Sequence, residues 1–411
     1  MHILLIAPSA PPKNSPEAMQ VGRFLTALDP SVRVTLVTTP VVDGWARGDE
    51  SLAVNRSGMK VIHARLPLHN LTQRVLGNHR LSALHVPDTG FWLPWTERQI
   101  LAQIGERPDI IYSRSAPFSA ALLARRLKQK LQIPWLMHLS DPWVGSPYRK
   151  HGSRASKKDR SFEANCFAAA DGITFTTEGQ AAYYRQRYPE RTASIHVSPN
   201  MMPTTDIDPL PPKGGNCLRL VYTGAFYGSR EPSTLLEAIH LLHEYSPKTA
   251  KQIVVEFYGN MHPNIAADVE MTPSCRWHGV VSFAEATIAQ REAAILVAIE
   301  PAGKNPFLQH ILLSKTVDYM AKRRPILAIT PEGSETSKLC AEGFGWAVTP
   351  GEVKRLAALL EGLAHNYLRG VWQKDLPDLA ASPYQAQTVT ENISKLLTTL
   401  VDCHNCKEAE A

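Results

Sequence analysis

The chain has 411 residues, 44% of them hydrophobic, and a formal charge of +6, which reads as two or more globular domains with sizeable cores. Its opening Met-His-Ile-Leu-Leu-Ile-Ala lacks a basic n-region and has an apolar run short for a signal peptide, so a buried strand is expected there, and no apolar run reaches the roughly 18 residues of a membrane span. Residues 1–205 hold 25 Lys and Arg against 15 Asp and Glu, a balance of +10, whereas the rest holds 19 against 23, or −4; the positive half suits an acidic surface such as anionic lipid, with a solvated basic face as the plainer alternative.

The first strand, 3–7, runs into Pro8-Ser9-Ala10-Pro11-Pro12-Lys13-Asn14-Ser15-Pro16, followed by a helix over 17–28 and a strand over 33–38. A dinucleotide-binding loop needs glycines so that the backbone can approach a pyrophosphate, and this loop has none. Prolines make it a rigid loop instead. Its place at the carboxyl end of a parallel strand makes Pro12, Asn14 and Ser15 candidate ligand contacts. Strands at 61–64, 110–113, 135–139, 173–176 and 195–197, with helical patterns between the later ones, predict a doubly wound parallel sheet. Arg114 follows the strand at 110–113 in a turn that leads to a helix over 118–129. His138 and Asp141, at the carboxyl end of the next strand, are site candidates, with a structural histidine and a turn-capping aspartate as the alternatives. The basic run 148–160, with Lys157, Lys158 and Arg160, reads as a mobile loop. A helix over 178–188 follows.

The stretch 203–215, rich in Pro, Gly, Asp and Thr, is the best linker. Its Asp206-Ile207-Asp208 has metal-binding spacing but no flanking strand to present it, so no metal is expected there. A second strand series follows at 218–222, 254–258, 277–281, 294–299, 326–329 and 345–348, with a helix over 232–244. Gly224 permits a tight turn after the first of these strands, and Arg230 offers a guanidinium fork to a diphosphate. Farther on, Ser314 is expected to cap a short helix carrying Val317, Met320 and Ala321 on one face, stopped by Pro325. Lys315 stands in the first turn of that helix, where an acid would suit the dipole better. A bound anion explains it, with Asp318 one turn on as acceptor for a sugar hydroxyl; an ordinary surface helix is the competing reading.

Helices near 353–363 and 384–400 close the chain. The expected division is a first domain over 1–205, a linker over 206–215, a second domain over 216–383, a helix over 384–402 that packs back towards the first domain, and a tail over 403–411. Four of the six cysteines (Cys166, Cys217, Cys275, Cys340) lie in apolar or strand-like surroundings, which suits reduced thiols and a cytoplasmic protein. Cys403-His404-Asn405-Cys406 has no second ligand pair, so neither a zinc nor a redox role is expected.

Two Rossmann-like halves facing a cleft, without dinucleotide glycines and with phosphate-type residues in the second, resemble the GT-B glycosyltransferases, specifically retaining family 4 of the bacterial surface-polysaccharide type. The residues that carry the resemblance, in order, are the proline loop, Asp141-Pro142-Trp143, Ser198-Pro199-Asn200, Tyr222-Thr223-Gly224 with Arg230, Trp277-His278-Gly279, and Ser314-Lys315-Thr316-Val317-Asp318-Tyr319 with Arg324-Pro325. The family's first-loop glycine pair is Asn14-Ser15 here, and its Glu-x7-Glu pair is His310 and Asp318.

The resemblance implies metal-independent transfer of a sugar, a hexose by family habit, from a nucleotide-sugar donor to a saccharide or lipid-linked acceptor in cell-surface polysaccharide biosynthesis. His138, Asp141, Arg230 and Lys315 would be the catalytic group. Gly224, Arg230, His278, Gly279, Val280, His310, Ser314, Lys315 and Asp318 would bind the donor, and Pro12, Asn14, Ser15 and Arg114 would line the acceptor side. No cofactor, metal or nucleic acid is implied. The basic first half adds an expected reversible contact with the anionic inner face of the membrane. A sugar-nucleotide epimerase of the same fold and a non-catalytic donor-binding member of a glycan-assembly complex remain the alternatives.

Overall fold

The computed structural model describes residues 1–41, 48–64, 93–146, 154–203, 214–227, 229–301, 303, 305–371 and 375–410. The chain divides into two compact units, Met1–Thr204 with Pro383–Ala411, and Thr205–Ser382. The expected linker, with its Asp206-Ile207-Asp208, falls largely outside the described residues, as does the start of the basic run.

The first unit is built on β1 (His2–Ile6), β2 (Arg33–Thr38), β3 (Lys60–His63), β4 (Ile110–Ser115), β5 (Trp135–Leu139), β6 (Gly172–Phe175) and β7 (Ile195–Val197). They form one parallel sheet in the order β3-β2-β1-β4-β5-β6-β7. Such a sheet is covered on both faces, so the middle strands read as continuous apolar runs rather than alternating ones; every residue of β1, β4 and β5 is buried. The helix Pro16–Ala27 starts with Pro at its first position and Ser15 as cap, accepting from the Ala18 amide at 3.3 Å. It buries Val21, Phe24 and Leu25 against Leu36, Ile110 and Tyr112.

The helix Ala386–Glu410 joins the same core through Ala386, Val389, Ile393 and Leu397, a three-four spacing that puts all four on one face. It continues through Cys403 and Cys406 to Glu410, so the segment expected as a tail is helical. The run expected as a mobile loop likewise differs: Arg154–Ala169 is a helix. Its buried positions Asp159, Glu163, Cys166 and Phe167 fall at helical spacing, but two of them are carboxylates, which hides the stripe from a search for apolar residues.

The second unit holds β8 (Leu218–Thr223), β9 (Ile253–Tyr258), β10 (Cys275–Trp277), β11 (Ile295–Ile299), β12 (Ile326–Ile329) and β13 (Gly345–Val348). Its sheet is parallel in the order β10-β9-β8-β11-β12-β13. The helices Ser233–Tyr245 and Val353–Leu368 bury Leu235, Ile239 and Leu242 and Leu356, Leu360 and Leu363 in its core. The strand expected over 277–281 ends at Trp277, because Gly279 turns the chain with φ +72°. In the helix Ser314–Ala321 the cap position belongs to Leu313, which makes no side-chain capping bond, and Ser314 is the first helical residue. Both sheets reverse strand order beside their first strand, between β1 and β4 and between β8 and β11. Open α/β sheets bind ligands beyond the carboxyl ends at such points.

Candidate functional site

At the carboxyl end of the second sheet three glycine turns lie against one another. The Gly224 amide donates to the Tyr258 carbonyl at 2.8 Å and the Gly259 amide to the Gly279 carbonyl at 2.7 Å. A Cβ on Gly259 would lie 2.1 Å from the Gly224 oxygen, and one on Gly224, at φ +130°, would lie 2.6 Å from Lys315 Nζ. Glycine is therefore what lets Lys315 reach over the end of β8. Lys315 Nζ donates to the Tyr222 hydroxyl at 2.9 Å and sits 4.0 Å over that ring. One turn on, the Tyr319 hydroxyl accepts from the Thr223 amide at 3.0 Å, docking the helix on β8.

Arg230 is 2% exposed, with its guanidinium 4.7 Å over the Tyr227 ring. Glu300, 4% exposed just beyond β11, accepts from the Thr330 and Thr336 hydroxyls. Burial pushes the Lys315 amine well below its ordinary value; Arg230 pushes the same way and Glu300 opposes them. Burial raises the Glu300 carboxyl, against the two threonines, Arg230 and Lys315. The three charges thus share one neighbourhood at the point where the strand order reverses. Sequence reasoning treats Glu300 only as the end of a strand, although an acid closing the apolar run Ile-Leu-Val-Ala-Ile is itself a signal.

The remaining donor-side candidates spread around this centre. His278 Nε2 bonds Glu256 Oε1 at 3.0 Å and its ring stacks on Tyr258 at 4.3 Å, so the imidazole belongs to the network of Glu256 on β9 and Arg219 on β8. Val280, next to Gly279, is 47% exposed. Ser314 and Asp318 are half-buried on the Lys315 helix. His310 ends the turn Pro306–His310, edge-on to Phe307, and its imidazole is lowered by burial and feels Glu335 and Lys338.

In the first unit the candidates are held differently. Arg114 is buried on β4, where Nε donates to Glu17 Oε1 at 2.7 Å and Nη1 to the Tyr112 hydroxyl at 2.9 Å. Coulombic attraction to Glu17 and Tyr112 outweighs burial and raises its pKa. The Ser140 hydroxyl donates to the other Glu17 oxygen at 2.5 Å. Arg114 is thus committed to an internal ion pair.

His138 is 1% exposed inside β5, with Nδ1 3.0 Å from the Thr174 hydroxyl. Burial, with Arg114 beside it, drives its pKa well down. The imidazole expected as a catalytic group is thus enclosed within the sheet between β4 and β6, where the strand pattern puts an inward residue. Asp141, two residues beyond the strand, is half-buried. In the proline loop Pro12 and Asn14 are half-buried and Ser15 is the helix cap. Lys13, overlooked in the sequence, is buried with Nζ on the Pro8 carbonyl and on Thr39 Oγ1 at 2.6 Å, and burial lowers its amine to about 8.

Residues 17–201 match the model of the glycosyl transferase 4-like domain. Anabaena HepE in complex with UDP and glucose aligns over 97% of this chain and 100% of its own, at 14% identity and a TM-score of 0.65. The chain has the GT-B fold and resembles glycosyltransferase family 4. The lipopolysaccharide outer core galactosyltransferase WaaB superposes on this GT-B chain at 12% identity and a TM-score of 0.56, covering 97% of it and 99% of WaaB. S. aureus MnaA, solved with UDP, does so at 13% identity and 0.55, covering 98% of this chain and 97% of its own. No curated protein matches the sequence. Among the described residues no helix is long and apolar enough to cross a membrane, and no cluster of three or more His, Cys, Asp or Glu could hold a metal.

Proposed function

We propose that the protein is a retaining, metal-independent glycosyltransferase, a hexosyltransferase by family resemblance, whose second unit binds a nucleotide-sugar donor and whose first unit recognises a saccharide or lipid-linked acceptor. The observation that carries the reading is the placement of Lys315 and Arg230 at the carboxyl ends of β8 and β11, where strand order reverses. The leaving diphosphate develops charge as the glycosidic bond breaks, and the buried Arg230 with the half-buried Lys315 neutralises it without the metal that an Asp-x-Asp enzyme uses. An arriving anion also restores the proton that burial disfavours on Lys315, since an opposite charge shifts the amine back upwards. The exposed Val280 beside Gly279 suits the base, and Asp318 the ribose.

The structures of HepE with UDP and glucose and of MnaA with UDP support a uridine nucleotide as the first donor to try. WaaB, a lipopolysaccharide galactosyltransferase, supports cell-surface polysaccharide as the setting. A reversible contact with an anionic membrane belongs to the same proposal. Arg126 and Lys128 are engaged with Glu97 and Asp171, so the exposed Lys130 and the exposed Lys157, Lys158 and Arg160 are the basic residues proposed to face lipid.

The deciding experiment is thermal unfolding in EDTA with UDP, UDP-glucose and the corresponding adenine and guanine compounds as probes. A ligand that binds the fold raises its melting temperature by mass action. At least one nucleotide is expected to do so, and to lose the effect in Lys315→Ala. No shift with any of them would overturn the donor site, and a shift that EDTA abolishes would overturn metal independence.

A further inference from the structure

Between β5 and the helix Arg154–Ala169 lies the segment 140–144, Ser-Asp-Pro-Trp-Val. Its first residue is anchored on one side: the Ser140 amide donates to the Ser115 carbonyl at 2.8 Å, its hydroxyl to Glu17 at 2.5 Å, and its carbonyl accepts from Thr176 at 3.3 Å. Its far end is anchored on the other. The Val144 amide donates to Glu163 Oε2 at 2.7 Å, the Trp143 amide to the Tyr184 hydroxyl at 3.0 Å, and the Trp143 indole to Asp159 Oδ1 at 3.1 Å. Trp143 also stacks on Phe118 with ring centroids 4.9 Å apart. Asp141 and Pro142 stand between the two sets.

Glu163 is 0% exposed and is met by donors on both oxygens. Tyr184 donates at 3.0 Å beside Val144 on Oε2, and Tyr188 at 2.9 Å and Arg187 at 3.1 Å on Oε1. A carboxylate so enclosed is a weak source of stability, since apolar replacements of buried ion pairs are often neutral or better. What a fully satisfied polar network supplies is one fixed geometry. Asp159 and Glu163 sit one helical turn apart, so a single helix face grips two consecutive residues of the segment.

We infer that Asp159 and Glu163 are positioning residues, a rack that fixes Asp141 at the carboxyl end of the first unit's sheet for its part in the transfer. The inference rests on the functional reading above together with the family resemblance, which puts Asp141 in the catalytic group. Small misplacements of such a group cost up to about a hundredfold in rate. A rack of this kind acts on turnover and leaves the affinity of the nucleotide, held by the second unit, alone.

The test uses the full-length protein and two readouts. In the first, hydrogen exchange is followed in Glu163→Gln. The Trp143 and Val144 amides are expected to exchange at least tenfold faster while β1 and β4 keep their protection, and unchanged exchange at both amides overturns the rack. In the second, turnover of UDP-glucose is compared in wild type, Asp141→Asn, Glu163→Gln and the milder Asp159→Asn. Glu163→Gln is expected to lower kcat by tenfold or more, and Asp159→Asn by less, with KM for UDP-glucose within about twofold. Full kcat in Glu163→Gln, or a loss confined to KM, overturns the proposal. Full kcat in Asp141→Asn, with the exchange result as expected, overturns instead the reading that Asp141 belongs to the catalytic group.

Discussion

The carboxyl ends of the two sheets carry similar residue types and handle charge in opposite ways. In the first unit the buried Arg114 meets a carboxylate of its own, Glu17, whose second oxygen takes Ser140; the result is a neutral, internally compensated pair. In the second, Arg230 and Lys315 gather near Glu300, whose oxygens are already occupied by Thr330 and Thr336. Two basic side chains and one carboxyl thus meet there. An arginine paired inside the fold is closed to a ligand, whereas two basic side chains beside an already occupied carboxyl suit a diphosphate, and this contrast is what the proposed donor site rests on.

The largest expected effect breaks the neutral side. Arg114→Met leaves Glu17 without its partner, and removal of one member of a buried pair costs about 3–5 kcal/mol. Denaturant unfolding of the first unit should show it, and a loss below about 1 kcal/mol would mean that Glu17 finds water in place of Arg114.

Next comes the cationic side. Lys315→Ala and Arg230→Ala should each lower turnover by about a hundredfold or more with the fold intact, as loss of a contact to developing charge does. Near-wild-type rates in either would place the diphosphate elsewhere. Lys315→Arg should not rescue fully, because a planar fork does not fill the place of a point charge over Tyr222.

Gly224→Ala tests the same site through the backbone. Its φ of +130° and the 2.6 Å approach to Lys315 Nζ predict a destabilisation of about 1–3 kcal/mol together with weaker UDP binding. Calorimetry that finds wild-type affinity would show that Lys315 can move aside.

The smallest effect sharpens the comparison in the proline loop. Lys13 has a folded value of about 8 against an ordinary 10.5. Between these values the unfolded chain binds more protons, so stability rises with pH from about 8 upwards and is lowest when the amine is charged. The urea midpoint of wild type relative to Lys13→Met should therefore increase above pH 8. A difference that stays flat would mean that the amine keeps its proton.

Local pattern made the architecture legible. The strands at Arg33–Thr38, Trp135–Leu139, Ile195–Val197, Ile326–Ile329 and Gly345–Val348 fall where the sequence pattern predicts them, because strands of a parallel sheet covered on both faces are predominantly apolar. The glycine-free first loop, the acid-poor first turn at Lys315 and the fork at Arg230 are likewise readable residue by residue. Where helices carry charge inside, the pattern failed. Arg154–Ala169 buries Asp159 and Glu163, and so read as a basic loop.

Partners distant in the chain were decided only by the tertiary structure. Lys315 finds Tyr222 across 93 residues, and Arg114 finds Glu17 across 97. Nothing local distinguishes an arginine that will be paired inside a sheet from one left for a ligand, since the difference lies in which strand ends the topology brings together. His138 shows the same limit. Its type and position suggested catalysis, and its enclosure between Arg114 on β4 and Thr174 on β6 makes it a neutral residue of the interior. Sequence sets which residues a strand end carries; burial and neighbouring charge, which depend on the whole fold, set what those residues can do.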